Sequence, residues 1–201
     1  MILLYNYAPS GNGYKVALLL HQLALRFETV EIDANAGGTR TADFLAINPN
    51  GKIPVLVLDD GTVLSESNAI LWYLAEGTTF VAHDRLGRAR TLQWMFFEQY
   101  SHEPYIAVAR NWLAHLGLDE RRARELPEKQ ARGNAALQIM EAHLAERLYF
   151  VGESYGIADI ALYAYTHCAD EGGFDFGRFP AIRAWLDRVA SQPGHVPLAG
   201  H

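Results

Sequence analysis

Asn48-Pro49-Asn50-Gly51-Lys52-Ile53-Pro54-Val55 is the stretch on which the fold turns. A proline ahead of an apolar run cannot supply a strand amide, so Pro54 sits just before a strand that begins at Val55. A cis Ile53–Pro54 bond would turn the backbone of Ile53 outward as a free pairing edge, to which a peptide-like ligand could add through its main chain. An ordinary trans proline opening a strand fits the same residues, and the surrounding sequence has to decide between the two.

Working outward, Val55-Leu56-Val57-Leu58 and Val63-Leu64 flank Asp59-Asp60-Gly61-Thr62, a strong hairpin signal that adds two antiparallel strands. Ile70, Tyr73 and Leu74 follow Ser65-Glu66-Ser67 as an amphipathic helix with a polar start. Upstream, Ile2 to Tyr5 is a short buried-strand run, and Val16, Leu19, Leu20 and Leu23 recur at helical spacing. A second strand fits Phe27 to Ile32 and a short helix Asp43 to Ile47. The order β-α-β-α-β-β-α is complete by Glu76, the signature of an α/β unit.

After Gly77-Thr78-Thr79 the β-rich character vanishes, which marks a boundary near residues 77–86. The domains expected are 1–77, α/β, and 87–201, all helical. Helices are predicted over about 87–117, 128–148, 157–170 and 179–191, ending in an irregular tail with Pro193, Pro197 and Gly200.

A net charge of −6 and a pI near 5.7 argue against a nucleic-acid partner. The Arg121-Arg122-Ala123-Arg124 run lies between Glu120 and Glu125 and reads as a solvated helix face or turn. No apolar run approaches the roughly 20 residues of a membrane span, so a cytoplasmic, membrane-free protein is expected. The single cysteine, Cys168, excludes a disulfide framework and a Cys-x-x-Cys redox pair, and reads as a packed core residue. The eight histidines lack metal-ligand spacing. In Gly11-Asn12-Gly13 the third glycine of a dinucleotide fingerprint is replaced by Val16.

With these features together the chain resembles the cytosolic glutathione transferases. The resemblance rests on the Asn-Pro-x-Gly-Lys-Ile-Pro run, on Glu66-Ser67 before a helix, and on the switch to a helical second half. It implies a thioredoxin-like N-terminal domain followed by an all-α domain, a cis Pro54, and Ile53 pairing its backbone with the cysteinyl part of glutathione. Glutathione would then be a co-substrate, with no permanently bound cofactor and no metal. Glu66 and Ser67 make independent sense as the γ-glutamyl site, because helix-start amides attract a carboxylate and an exposed Glu can hold an ammonium group. A plain helix cap accounts for the serine equally well. Lys52, and less so Arg40, could neutralise the glycyl carboxylate.

Ser10 follows the first strand and opens the first helix, where a hydroxyl and the positive helix end could together lower a thiol pKa. Its spacing to Lys15-Val16 matches serine-type members, although Ser10 as a helix cap alone is also consistent. Asn12 is the rival donor to the same sulfur, completing a Ser-x-Asn variant, and Tyr5 and Tyr7 rank behind both. In the second half, Tyr100, His102, Tyr105, Arg110 and Trp112 could line a pocket for a hydrophobic electrophile in the cleft between the domains, or belong to core or subunit interface. Gly156 takes the place of the usual Ser or Thr cap before a buried helix, and Asp159 is expected to be a buried folding residue. The reaction implied is attack by a glutathione thiolate on an electrophile, within a detoxifying homodimer. The alternatives are a glutathione-dependent disulfide reductase and a noncatalytic glutathione-binding regulator.

Overall fold

The computed structural model describes residues 1–199; Gly200 of the tail, and His201, lie outside the described residues. The chain forms two compact units, one of Met1–Glu76 joined by the residues from Pro193 onward, the other Gly77–Gln192.

In the first unit β1 (Ile2–Asn6), α1 (Gly11–Gln22), β2 (Phe27–Glu31), α2 (Ala42–Ile47), β3 (Val55–Val57), β4 (Val63–Ser65) and α3 (Ser67–Ala75) follow the predicted order. Among the described residues a 3₁₀ turn at Gly38–Arg40 is added to that order. The sheet runs β2-β1-β3-β4, with β2 parallel to β1 and the other pairs antiparallel. Leu4 of β1 stands opposite Leu56 of β3. Both side chains are fully buried, and with Val16 and Leu20 of α1 and Ile70 of α3 they form the core. Alternation is the reason: the strands give one face to the helices, and removing each Leu or Ile from water contributes about 1.5–3 kcal/mol.

The tail corrects the expected boundary. Irregular as predicted, it packs on the first unit, where the Tyr14 hydroxyl donates to the Val196 carbonyl at 2.7 Å and Leu198 is buried. No sequence periodicity announces such a return, because it rests on isolated contacts such as the Tyr14 hydroxyl, which also meets His195 Nε2 at 3.2 Å.

The second unit holds α4 (Arg85–Phe97), α5 (Glu103–Arg110), α6 (Glu120–Leu144), α7 (Ile157–Thr166) and α8 (Pro180–Ala190). The single helix expected over 87–117 is α4 and α5 joined by a π segment, Glu98–His102, and extended by a second, Asn111–Leu116. Pro104 is the physical cause of the first: it has no amide for its i−4 carbonyl and its ring crowds that carbonyl. The chain widens instead, with the Glu103 amide reaching back to Glu98. The helix expected from 128 begins at Glu120, because Asp119 caps it through Arg122 N at 2.7 Å and Pro127 is carried inside it. The arginine run is therefore its first turns, with Arg121 paired to Glu125 at 3.1 Å.

Gly156 precedes α7 for a reason the sequence does not reveal. A Cβ on this glycine would lie 2.6 Å from the backbone oxygen of Phe80, which accepts from Ile157 N. Serine or threonine, the better cap in isolation, has no room. Asp159 is fully buried and accepts from Trp185 Nε1 at 2.9 Å, Gly156 N at 3.1 Å and Phe150 N at 3.2 Å. Burial pushes its carboxyl up to about 7 against the opposing pull of these donors. Cys168 is buried, its thiol pushed up to about 12 chiefly by desolvation. Among the described residues no helix is long and apolar enough to cross a membrane.

Candidate functional site

The loop from Asn48 to Pro54 is held from within by a side chain to which the sequence reading gave no role. Asn48, 5% exposed, donates through Nδ2 to the Lys52 carbonyl at 2.7 Å and accepts from Asn50 N at 3.2 Å. One carboxamide thus takes the place of strand pairing. Gly51 has φ +63°, and a Cβ there would meet Arg40 Nη1 at 2.5 Å and Thr39 O at 3.0 Å; both conformation and space require glycine. The Ile53–Pro54 peptide is cis. Val55 is the first residue of β3 and pairs with Tyr5 on one side and Ser65 on the other. Ile53, half-buried just before it, has no hydrogen-bond partner among the described residues. A main-chain donor and acceptor therefore stand open at the end of the sheet.

Ser10 is the N-cap of α1, in an extended conformation, its Oγ accepting from Gly13 N at 3.3 Å. That bond uses a lone pair and leaves the O–H as a donor. Gly13 is where α1 meets β1: an added Cβ would overlap Asn6 Oδ1. Asn12 Oδ1 accepts from Lys15 Nζ at 2.7 Å and from Ser67 Oγ at 3.1 Å. The starts of α1 and α3 are therefore joined through one carboxamide oxygen. Of the two tyrosines, Tyr7 Oη accepts from Asn35 Nδ2 at 3.3 Å and Tyr5 packs edge-on against Phe44, 6.4 Å between centroids.

Glu66, at the start of α3, has φ +68°, a conformation that side-chain-bearing residues rarely adopt. Strain of this kind costs about 1–3 kcal/mol and gathers at functional sites. Its Oε1 accepts from Asn50 Nδ2 at 3.4 Å, connecting α3 to the Asn48–Pro54 loop. Its carboxylate is exposed, while Ser67 is 6% exposed and begins the helix. Lys52 and Arg40 are exposed, and neither ammonium nor guanidinium has a carboxylate partner among the described residues. The predicted residues of the first unit thus gather around two helix starts and one loop.

The predicted electrophile contacts do not make one open surface, which corrects that expectation. His102 is fully buried with Nε2 2.9 Å from Thr166 Oγ1. Arg110 is 4% exposed and its Nε donates to Glu171 at 2.6 Å. Trp112 is 7% exposed, beneath Arg121. Tyr105 is half-buried, accepting from Arg132 at 3.1 Å with Lys129 over its ring. Tyr100 alone is widely exposed, at 84%. A helix turns its residues through every direction, so neighbours in sequence divide between core and solvent. A cavity of about 400 Å³ does lie within the second unit, lined by Phe80, Leu86, Arg90, Tyr155 and Gly156 among others, and Tyr100, His102, Tyr105, Arg110 and Trp112 do not border it.

The glutathione S-transferase N-terminal domain model matches residues 9–76, and the C-terminal domain model matches residues 92–193. The chain belongs to the glutathione S-transferase family. Within it, a solved glutathione S-transferase from Pseudomonas fluorescens Pf-5 is 55% identical, with a TM-score of 0.96 and 98% of both chains covered. The disulfide-bond oxidoreductase YfcG of Escherichia coli K12 is 33% identical, over 96% of this chain and 92% of its own. The glutathione transferase URE2P8 of Phanerochaete chrysosporium, solved with oxidised glutathione, is 26% identical at a TM-score of 0.86, covering 96% of this chain and 90% of that one. This family member therefore has a thioredoxin-like N-terminal unit and a helical C-terminal one, as the resemblance implied.

Proposed function

We propose that the first unit binds glutathione and activates its thiol for nucleophilic attack on a hydrophobic electrophile. The observation that carries this reading is Ser10, whose Oγ caps α1 by accepting from Gly13 N and keeps its O–H as a donor, two residues before the Asn12 carboxamide that Lys15 and Ser67 fix through Oδ1. Hydrogen-bond donors set at a helix start stabilise a thiolate over a thiol. The open backbone of Ile53 would align the cysteinyl part of the tripeptide by main-chain pairing. The carboxylate of Glu66 would take the γ-glutamyl ammonium, and the first amides of α3 its carboxylate. Lys52, with Arg40 beside Gly51, would meet the glycyl end. Attack forms the sulfur–carbon bond, and the leaving group departs with the electron pair of the bond that breaks. Holding thiolate and electrophile together supplies a further large part of the rate.

A second reading, reduction of a disulfide by glutathione, is favoured by the locked Asn12 and by the name of the YfcG relative. There the thiolate attacks sulfur, forms a mixed disulfide and expels a thiolate; a second glutathione resolves it, so that oxidised glutathione leaves. The stripe Leu92, Phe96 and Tyr100, exposed along one face of α4 and its continuation, would suit the homodimer that the family implies.

Calorimetric titration of glutathione, with the ultraviolet thiolate band of the bound ligand followed against pH, tests the central claim. Saturable binding with a thiol pKa below that of free glutathione supports it, and no binding at millimolar glutathione removes it. Parallel assays with an aryl halide and with a small disulfide then separate the two reactions.

A further inference from the structure

Lys15 is a fully buried lysine on a short helix, where an ammonium group is costly unless it is bonded. Its Nζ lies 2.7 Å from Asn12 Oδ1, one turn back along α1, a charge-assisted hydrogen bond. Ser67 Oγ approaches the same oxygen at 3.1 Å from the start of α3. A carboxamide oxygen has two lone pairs, and these two donors use both. Nδ2 then points away from Lys15 and Ser67, which settles which end of the amide is turned to which side. The ammonium charge of Lys15 beside Oδ1 also draws electron density from the amide, making its N–H groups stronger donors.

We propose that Lys15 is a positioning residue for thiol activation, acting through Asn12 and not by touching glutathione. The inference rests on the reading of this site as a glutathione site. Lys15 holds the Asn12 carboxamide with its N–H end toward the sulfur and polarises it. Ser67 ties that orientation to the start of α3, so the γ-glutamyl and thiol ends of the site are one hydrogen-bonded unit.

The test compares Lys15→Met, which removes donor and charge, with Lys15→Gln, which keeps a donor without charge, in the full-length protein. The thiolate band of bound glutathione is followed against pH, alongside kcat and KM. Lys15→Met should raise the bound-thiol pKa by about one unit and lower kcat about tenfold at pH 7, with KM for glutathione changed less than about threefold. Lys15→Gln should recover part of the shift, and it supplies the reading if the methionine variant does not fold. In an Asn12→Ala background either substitution should leave the thiol pKa where Asn12→Ala puts it. A wild-type-like thiol pKa in a folded Lys15 variant overturns the role of Lys15 while the glutathione site stands. A wild-type protein that fails to bind glutathione, or binds it without lowering its thiol pKa, overturns the site reading and this inference with it.

Discussion

Ser67 Oγ donates to Asn12 Oδ1 across 3.1 Å, joining two residues 55 positions apart in the chain. Each lies in the first turn of a helix, and each is a candidate on separate grounds: Ser67 for the γ-glutamyl end of glutathione, Asn12 for its sulfur. Their bond joins the two positions directly. A hydroxyl that read in the sequence as a cap or a ligand contact instead orients a neighbouring carboxamide.

A double-mutant cycle measures that connection. Asn12→Ala and Ser67→Ala should each weaken glutathione binding, and the double variant should lose less than the sum by about 1 kcal/mol. Calorimetric titration of the four proteins gives the coupling directly; strictly additive losses would show that the bond does not link the two ends.

Glu66 holds a positive φ that glycine reaches without a Cβ clash, at a cost in backbone entropy smaller than the strain it removes. Glu66→Gly should therefore raise unfolding stability by about 1 kcal/mol while weakening glutathione binding through loss of the carboxylate. Urea unfolding and titration read the two effects separately. A variant that is destabilised would mean that the positive φ carries no strain.

Gly156→Ser improves a helix cap on paper and should fail in the protein. The new Cβ would stand 2.6 Å from the Phe80 carbonyl, which is backbone and cannot swing aside. A loss of about 1–3 kcal/mol is expected, seen as a lower thermal midpoint. An unchanged or higher midpoint would contradict the close approach.

Asp159 should make stability fall as pH rises from about 4 to about 7. Its folded pKa, near 7, lies above the ordinary value of 3.8 because burial disfavours the charge. Between those values the folded state keeps a proton that the unfolded state has lost, so each step up in pH favours unfolding, and above 7 the effect levels off. The span amounts to a few kcal/mol at most. Asp159→Asn should flatten this slope in urea titrations across the range. It should also lower stability throughout, because the new NH₂ faces donors: Trp185 Nε1 and the amides of Phe150 and Gly156.

Cys168 should resist iodoacetamide at pH 8 in the folded protein and react after denaturation, since burial holds its thiol near 12. Mass spectrometry before and after urea decides this.

Local signals made most of the fold readable. The Asp59–Thr62 hairpin, the helical spacing of Val16, Leu19 and Leu20, and the loss of β-rich character after Gly77 each depend on residues within a turn or two. Signals of this kind placed the four strands and three α-helices described in the first unit, though not the 3₁₀ turn at Gly38–Arg40. The stretch from Asn48 to Val55 fits a trans proline as well as a cis one, and the cis Pro54 that the structure has was implied by the resemblance. Where a proline interrupted the pattern, at Pro104 and Pro127, local reasoning failed in opposite ways, missing a π segment in one helix and cutting the start from another.

What neighbouring residues could not reveal depends on approaches between distant segments. Gly156 is glycine because of Phe80; Gly51 because Arg40 and Thr39 fill the space beside it; the tail belongs to the first unit because Tyr14 reaches Val196. Lys15 is only a spacing landmark in the sequence, whereas its ammonium lies on Asn12, and of the two places open to His102 and Arg110, pocket or core, helix packing puts them in the core. Periodicity and turn chemistry are properties of a segment and survive in one dimension. Burial, close approach and the pairing of a buried charge are properties of the folded packing, and only the tertiary structure decided them.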